Sequence, residues 1–186
     1  METVGNGSRF GIGVKTARYC DIQMKKFSFF LVNLMVGCSL GDVYRWEGPS
    51  AMSPTIDMDD LVWVDSKMNE FTDIKRFDIV LVAAHSDLNI ETFYRVIGLP
   101  GENIRFDSGY FYVNDVPLIF PENLNFISYE VSLLAKDDFH GGINVLIPEN
   151  AFYMIGDNVE KSYDSKHFGA IAKNLIIGRV LKVEKK

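Results

Sequence analysis

Cysteine is scarce in this chain and confined to one end. Cys20 and Cys38 are the only two, and residues 39–186 contain none. A disulfide framework is thereby excluded for that stretch, as are zinc sites of the Cys-x-x-Cys kind. Neither a metal nor an organic cofactor is expected. Positive charge is also short: 19 Lys and Arg against 25 Asp and Glu leave a formal net charge of −6. That balance argues against nucleic acid as a partner, and no cluster of Lys and Arg with interleaved aromatics reverses it. No internal repeat or low-complexity tract is visible. No apolar run reaches the roughly 20 residues that a membrane-spanning helix needs.

What is present is ordinary globular material, 47% hydrophobic and 24% charged over 186 residues. Such a length allows one domain with a single good core. Near the start, Met24 to Cys38 reads MKKFSFFLVNLMVGC: a short basic beginning, an apolar run, then Gly37 before a cysteine. The uncharged run from Phe27 to Leu40 suits the h-region of a secretory signal. Met35-Val36-Gly37-Cys38 resembles a bacterial lipobox, in which Cys38 is acylated and becomes the new N-terminus. A short retained anchor helix and a buried core helix stand as alternatives. The organisation expected is an upstream extension over 1–23, with Met24 as a second candidate start. A signal or anchor over 24–38, a linker over 39–47 and the folded domain over 48–186 follow. With a lipid or an anchor, the domain is tethered and exported.

From Asp60 onward the pattern is β. Leu61–Val64, Asp78–Val82 and Thr92–Ile97 are short runs rich in β-branched and aromatic residues, separated by polar stretches. Tyr110–Val113, then Asn114-Asp115, then Val116–Leu118 reads as a hairpin with a two-residue turn. Phe152–Ile155 and Ile176–Val183 supply later strands. Glu122 to Gly142, polar and mixed, reads as a mobile loop or insert. The fold class is mainly β and barrel-like.

Three motifs stand out: GPSAMSPTI at 48–56, RVIGLPGE at 95–102 and MIGDNVEKSYDSKHFG at 154–169. Pro49 and Pro54 would hold a rigid, extended turn around Ala51. Leu99-Pro100-Gly101 is a turn in which Gly101 can take a positive φ. In Gly156-Asp157-Asn158 the glycine permits close backbone approach and the Asx side chains can satisfy local N–H groups. In this order the motifs resemble the type I signal peptidases, membrane-bound serine endopeptidases that remove signal peptides. The resemblance covers roughly Trp46 to Val183 and implies a domain of coiled β-sheets. It also implies a nucleophilic serine directly before Met52, where this chain has Ala51, and a lysine base directly before Arg95, where it has Tyr94. Ser162 matches the residue that orients the lysine, and with Tyr94 opposite it is expected to bond the phenol. The Ala51 N–H matches an oxyanion donor, and Pro49 stands where some members add a hydroxyl. Arg95 and Asp164 match a structural ion pair, and Lys166 replaces a usual arginine. Met52, Pro54, Gly156 and Asp157 belong to the supporting frame. His167 is expected to be a partly exposed packing residue.

A methyl group has no lone pair, and a phenol is a donor at neutral pH. Ser50 and Ser53, on other faces of an extended segment, do not replace the nucleophile. The protein is therefore expected to be an inactive member, a pseudoenzyme, that binds extended exported or signal-like peptides at a sheet edge. The rival readings are an active signal peptide endopeptidase with an altered or mutated nucleophile, and a plain surface lipoprotein. The expected partners are such a peptide, the membrane, and another peptidase. The expected location is the extracytoplasmic side of a bacterial membrane, in the periplasm or at the cell surface.

Overall fold

The computed structural model describes residues 16–17, 41–67, 74–83, 91–132, 139 and 144–186. The segment 24–38 with Cys38, and also Cys20, His85 and His140, lies outside them. The strands are β1 (Thr16–Ala17), β2 (Asp42–Arg45), β3 (Leu61–Asp65), β4 (Ile79–Val82), β5 (Thr92–Gly98) and β6 (Asn103–Asp107). They continue as β7 (Tyr110–Val113), β8 (Val116–Pro117), β9 (Asn144–Leu146), β10 (Ala151–Ile155), β11 (Ile171–Ala172) and β12 (Ile176–Glu184). Among the described residues two α-helices join them, α1 (Asn125–Ser132) and α2 (Ser165–Phe168). The fold is mainly β, as the β-branched and aromatic runs predict.

All strand pairings among the described residues are antiparallel. One sheet runs β1-β2-β3-β12-β4-β5-β10-β11, and a second runs β8-β7-β6-β9. The hairpin at Asn114-Asp115 forms because both residues accept positive φ, 50° and 63°. Those angles match the twist of the flanking strands. Gly101 likewise sits at φ 77°.

Strands β5 and β10 both bury two faces. On β10, Tyr153 and Ile155 pack with Ile97, Phe106 and Phe111 over the second sheet. Phe152 and Met154 point the other way, against Val80, Val96 and Tyr94. A third cluster joins Trp46, Met52, Ile56 and Phe93. Residues buried on both sides read as continuous apolar runs rather than alternating ones, which is why neither strand shows a period of two.

Two expectations are corrected here. Of the expected linker over 39–47, residues 42–47 instead belong to the fold, because Asp42–Arg45 pairs along β3 from Asp42↔Val64 to Arg45↔Leu61. Val43, Tyr44 and Trp46 are buried there, so the fold begins before the first motif. Nor is 122–142 a loop throughout. A 3-10 turn over Glu122–Leu124 leads into α1, and Leu124, Ile127 and Val131 are buried in the core. These residues fall at helical spacing and form one apolar stripe. Phe139 stacks on Phe106 at 4.2 Å between ring centroids.

Candidate active site

The three motifs meet at one buried ion pair. Arg95 projects from β5 and grips Asp157, which lies just beyond the end of β10. Its Nε donates to Oδ1 at 2.7 Å and its Nη2 to Oδ2 at 2.5 Å. Both side chains are buried, 6% and 0% exposed. The planar guanidinium suits this two-pronged contact in a way that a lysine would not. Its Nη1 donates to the Phe77 carbonyl at 2.8 Å. Thr55, from the first motif, donates its hydroxyl to the same Asp157 carboxylate. One carboxylate thus ties together Thr55, Arg95 and Asp157, one residue from each motif.

A second carboxylate organises the third motif. Asp164 caps α2, accepting from Lys166 N at 3.0 Å, while His167 Nδ1 accepts from Asp164 N at 3.3 Å. The other carboxylate oxygen takes Gly156 N at 2.9 Å and Lys166 Nζ at 2.6 Å. Ser165 Oγ accepts from Met154 N at 3.0 Å. The end of β10 is therefore bonded to side chains of α2 and its cap. The expected pairing of Arg95 with Asp164 is corrected: Arg95 binds Asp157, and Asp164 binds Lys166. His167 is half-buried as expected and its ring lies 4.6 Å from that of Tyr163.

Ala51 sits in a single 3-10 turn, Ser50–Met52, flanked by Pro49 and Ser53 in extended conformation. The expected extended segment is thus corrected to a helical turn. In such a turn residues three apart eclipse one another, so Ser50 and Ser53 share a face while Ala51 and Met52 are buried. The turn packs against β5. Behind Ala51 lies Gly156, where an added Cβ would come within 2.4 Å of the Ala51 carbonyl and 2.2 Å of Ser162 Oγ. Only glycine fits there. The Ala51 carbonyl also accepts from Asn158 N at 2.9 Å.

Tyr94 is buried, and its hydroxyl donates to the Tyr163 carbonyl at 2.8 Å. Burial first, and the negative charge of Asp164 second, push its pKa above the usual phenol value. It is a neutral donor across the physiological range and cannot take a proton. The expected bond between this phenol and Ser162 does not form. Ser162 Oγ is the one buried side-chain polar atom among the described residues without a hydrogen-bond partner. The phenol reaches past Ser162 to the next residue's carbonyl.

A family model described as signal peptidase, peptidase S26, matches residues 22–183. The chain belongs to this family. It is 32% identical over 148 residues to signal peptidase I V of Bacillus subtilis strain 168, covering 76% of this chain and 84% of that protein. It is 32% identical over 142 residues to signal peptidase I of Bacillus caldolyticus, covering 74% and 75%. Among solved structures, a signal peptidase I from Enterococcus faecalis V583 aligns with a TM-score of 0.47 and 24% identity, over 59% of this chain and 97% of its own.

In this member of the signal peptidase family, the residues singled out from sequence divide into two groups. In the first, Gly156 brings Ala51 and Ser162 together, while Met52 packs with Trp46 and Phe93 and Tyr94 packs in a separate cluster with Val80 and Val96. In the second, Arg95 with Asp157 and Asp164 with Lys166 form two buried ion pairs. Pro54 has a different role: its carbonyl accepts from Lys185 Nζ at 2.6 Å. Thr55, Phe77 and Tyr163 were not singled out. Thr55 carried a signal, since it lies within the first motif. Phe77 and Tyr163 act through backbone carbonyls, which leave no mark on side-chain identity. No helix among the described residues is long and apolar enough to cross a membrane.

Proposed function

We propose that this signal peptidase family member serves protein export by binding extended exported or signal-like peptides at a membrane without cleaving them. One observation carries the reading. The buried frame joining the three motifs is complete, yet the two positions it presents are a methyl group and a neutral phenol engaged with a carbonyl. On this reading Ala51 occupies the nucleophile's position and Tyr94 the base's. Ser162 occupies the orienting position, and the Ala51 N–H that of an oxyanion donor. Losing one member of a catalytic unit costs on the order of a millionfold in rate.

Binding needs strands rather than a nucleophile. Strand β10 reaches β5 only as far as Ile155↔Arg95, while β4 continues to Val82↔Thr92. Among the described residues, no strand covers Thr92–Tyr94 on the edge away from β4. An extended peptide can add there, close to the Ser50–Met52 turn. The tether is a lipid on Cys38 or a short anchor, which places the domain outside a bacterial cytoplasmic membrane.

The test uses the full chain in lipid vesicles with a labelled signal-like peptide carrying small residues. Saturable binding without product by mass spectrometry is expected. Turnover that disappears on Ser50→Ala or Ser53→Ala would overturn the inactive assignment, and absence of binding would overturn the peptide assignment.

A further inference from the structure

The loop after the Ser50–Met52 turn carries Asp57, Asp59 and Asp60, of which Asp57 and Asp60 are close enough to repel one another. Asp60 is buried, and its Oδ2 accepts from Asp57 N at 2.8 Å. The loop is held at its far end by Trp46, whose N–H donates to the Asp60 carbonyl and whose carbonyl accepts from Asp59 N. Asp59 sits at φ 72°, a conformation an unrestrained aspartate seldom keeps.

Strand β12 ends at Glu184↔Leu61, which brings the next residue, Lys185, level with the loop. Its ammonium donates to Pro54 O at 2.6 Å, to Asp57 Oδ2 at 2.9 Å and to Asp60 Oδ2 at 2.9 Å. All three ammonium hydrogens have acceptors. Lys186 adds its backbone N–H to Asp60 Oδ1 at 3.1 Å and its Nζ to Asp59 Oδ2 at 2.7 Å. An isolated exposed ion pair holds little. Here, however, the Asp60 side chain is only 3% exposed, and one cation bridges three groups spread along the loop.

We propose that Lys185 is a positioning residue, clasping 53–60 and thereby setting the Ser50–Met52 turn that walls the peptide site. The wall rests on the peptide-binding reading above, whereas the clasp can be tested without it.

Amide hydrogen exchange of the full chain compares wild type, Lys185→Met and Lys185→Arg. In the methionine variant, exchange over 52–60 should rise about three- to tenfold while β5 and β10 stay unchanged. Arginine should restore most of the protection. About 1 M salt should loosen the same segment in the wild type, because it screens the pairs. Unchanged exchange over 52–60 overturns the clasp, as does a rise spread equally over β5 and β10. If the methionine variant fails to fold, the salt titration decides, and no salt effect overturns it. A labelled signal-like peptide should bind the methionine variant at least about threefold more weakly. A loosened segment with unaltered affinity overturns the positioning role. A wild type that binds no peptide overturns the proposed function and leaves the exchange result to judge the clasp.

Discussion

Asp157→Asn tests the hub that joins the motifs. The change keeps the side chain's size and removes its charge, leaving Arg95 ionised in the interior, since its guanidinium does not deprotonate in proteins. Asp157 accepts from Arg95 Nε, Arg95 Nη2 and the Thr55 hydroxyl. The amide keeps one acceptor oxygen but turns an NH₂ group toward donors. Removing one partner of a buried pair costs about 3–5 kcal/mol. The lower end is expected because Arg95 retains the Phe77 carbonyl. With a urea slope of about 2 kcal/mol/M, the unfolding midpoint should fall by roughly 1.5 M. Such a loss is a large share of the roughly 5–15 kcal/mol that a domain of this kind has. Fluorescence of buried Trp46 reports the transition. Thr55→Ala alone should cost about 1 kcal/mol, and in Asp157→Asn its further effect should shrink, since the two share a network. A midpoint shift under about 0.5 M at unchanged slope would refute the claim that this pair holds the motifs together.

Ala51→Ser with Tyr94→Lys should restore weak cleavage after small residues, detectable by mass spectrometry, while each single change does nothing, because nucleophile and base act as a unit. The lysine works only if burial lowers its pKa. Gly156→Ala should cost about 1–3 kcal/mol in thermal or urea unfolding, because its Cβ would meet Ser162 Oγ and the Ala51 carbonyl. The Lys185 hydrogen bond, then that of Ser53, lowers the pKa of Asp57, and Lys186 lowers that of Asp59. Their contribution to stability is therefore present above about pH 4 and lost as pH falls through the depressed folded values. The difference in urea midpoint between wild type and Lys185→Met should accordingly shrink from pH 7 to pH 3, and a pH-independent difference counts against the clasp. Mass spectrometry of protein from its native membrane should find a lipid on Cys38 as the mature N-terminus, and an intact, unmodified Phe27–Cys38 segment would favour a retained anchor.

The amino-acid sequence by itself determined the mainly β class, because β-branched and aromatic runs pack well on a pleated surface whatever their partners. It determined the Asn114-Asp115 turn, since few residue pairs tolerate two positive φ angles. It also determined the absence of an attacking atom at Ala51 and of a proton acceptor at Tyr94, which are properties of the side chains alone. The α1 stripe of Leu124, Ile127 and Val131 was legible in principle but hidden among polar residues. The pairing of charges was not legible. The expected partner of Arg95 was Asp164, and its pairing with Asp157 instead follows from the antiparallel register Ile155↔Arg95, which places Asp157 just past the strand end. Likewise, Lys185 meets Asp57 and Asp60 across separations of 128 and 125 residues only because β12 lies beside β3. The bypass of Ser162 by the Tyr94 phenol depends on how far a ring reaches from one particular point on β5. Local preferences act over a few residues and can be read along the chain, whereas contacts between distant side chains depend on strand order and register, which only the assembled sheets define.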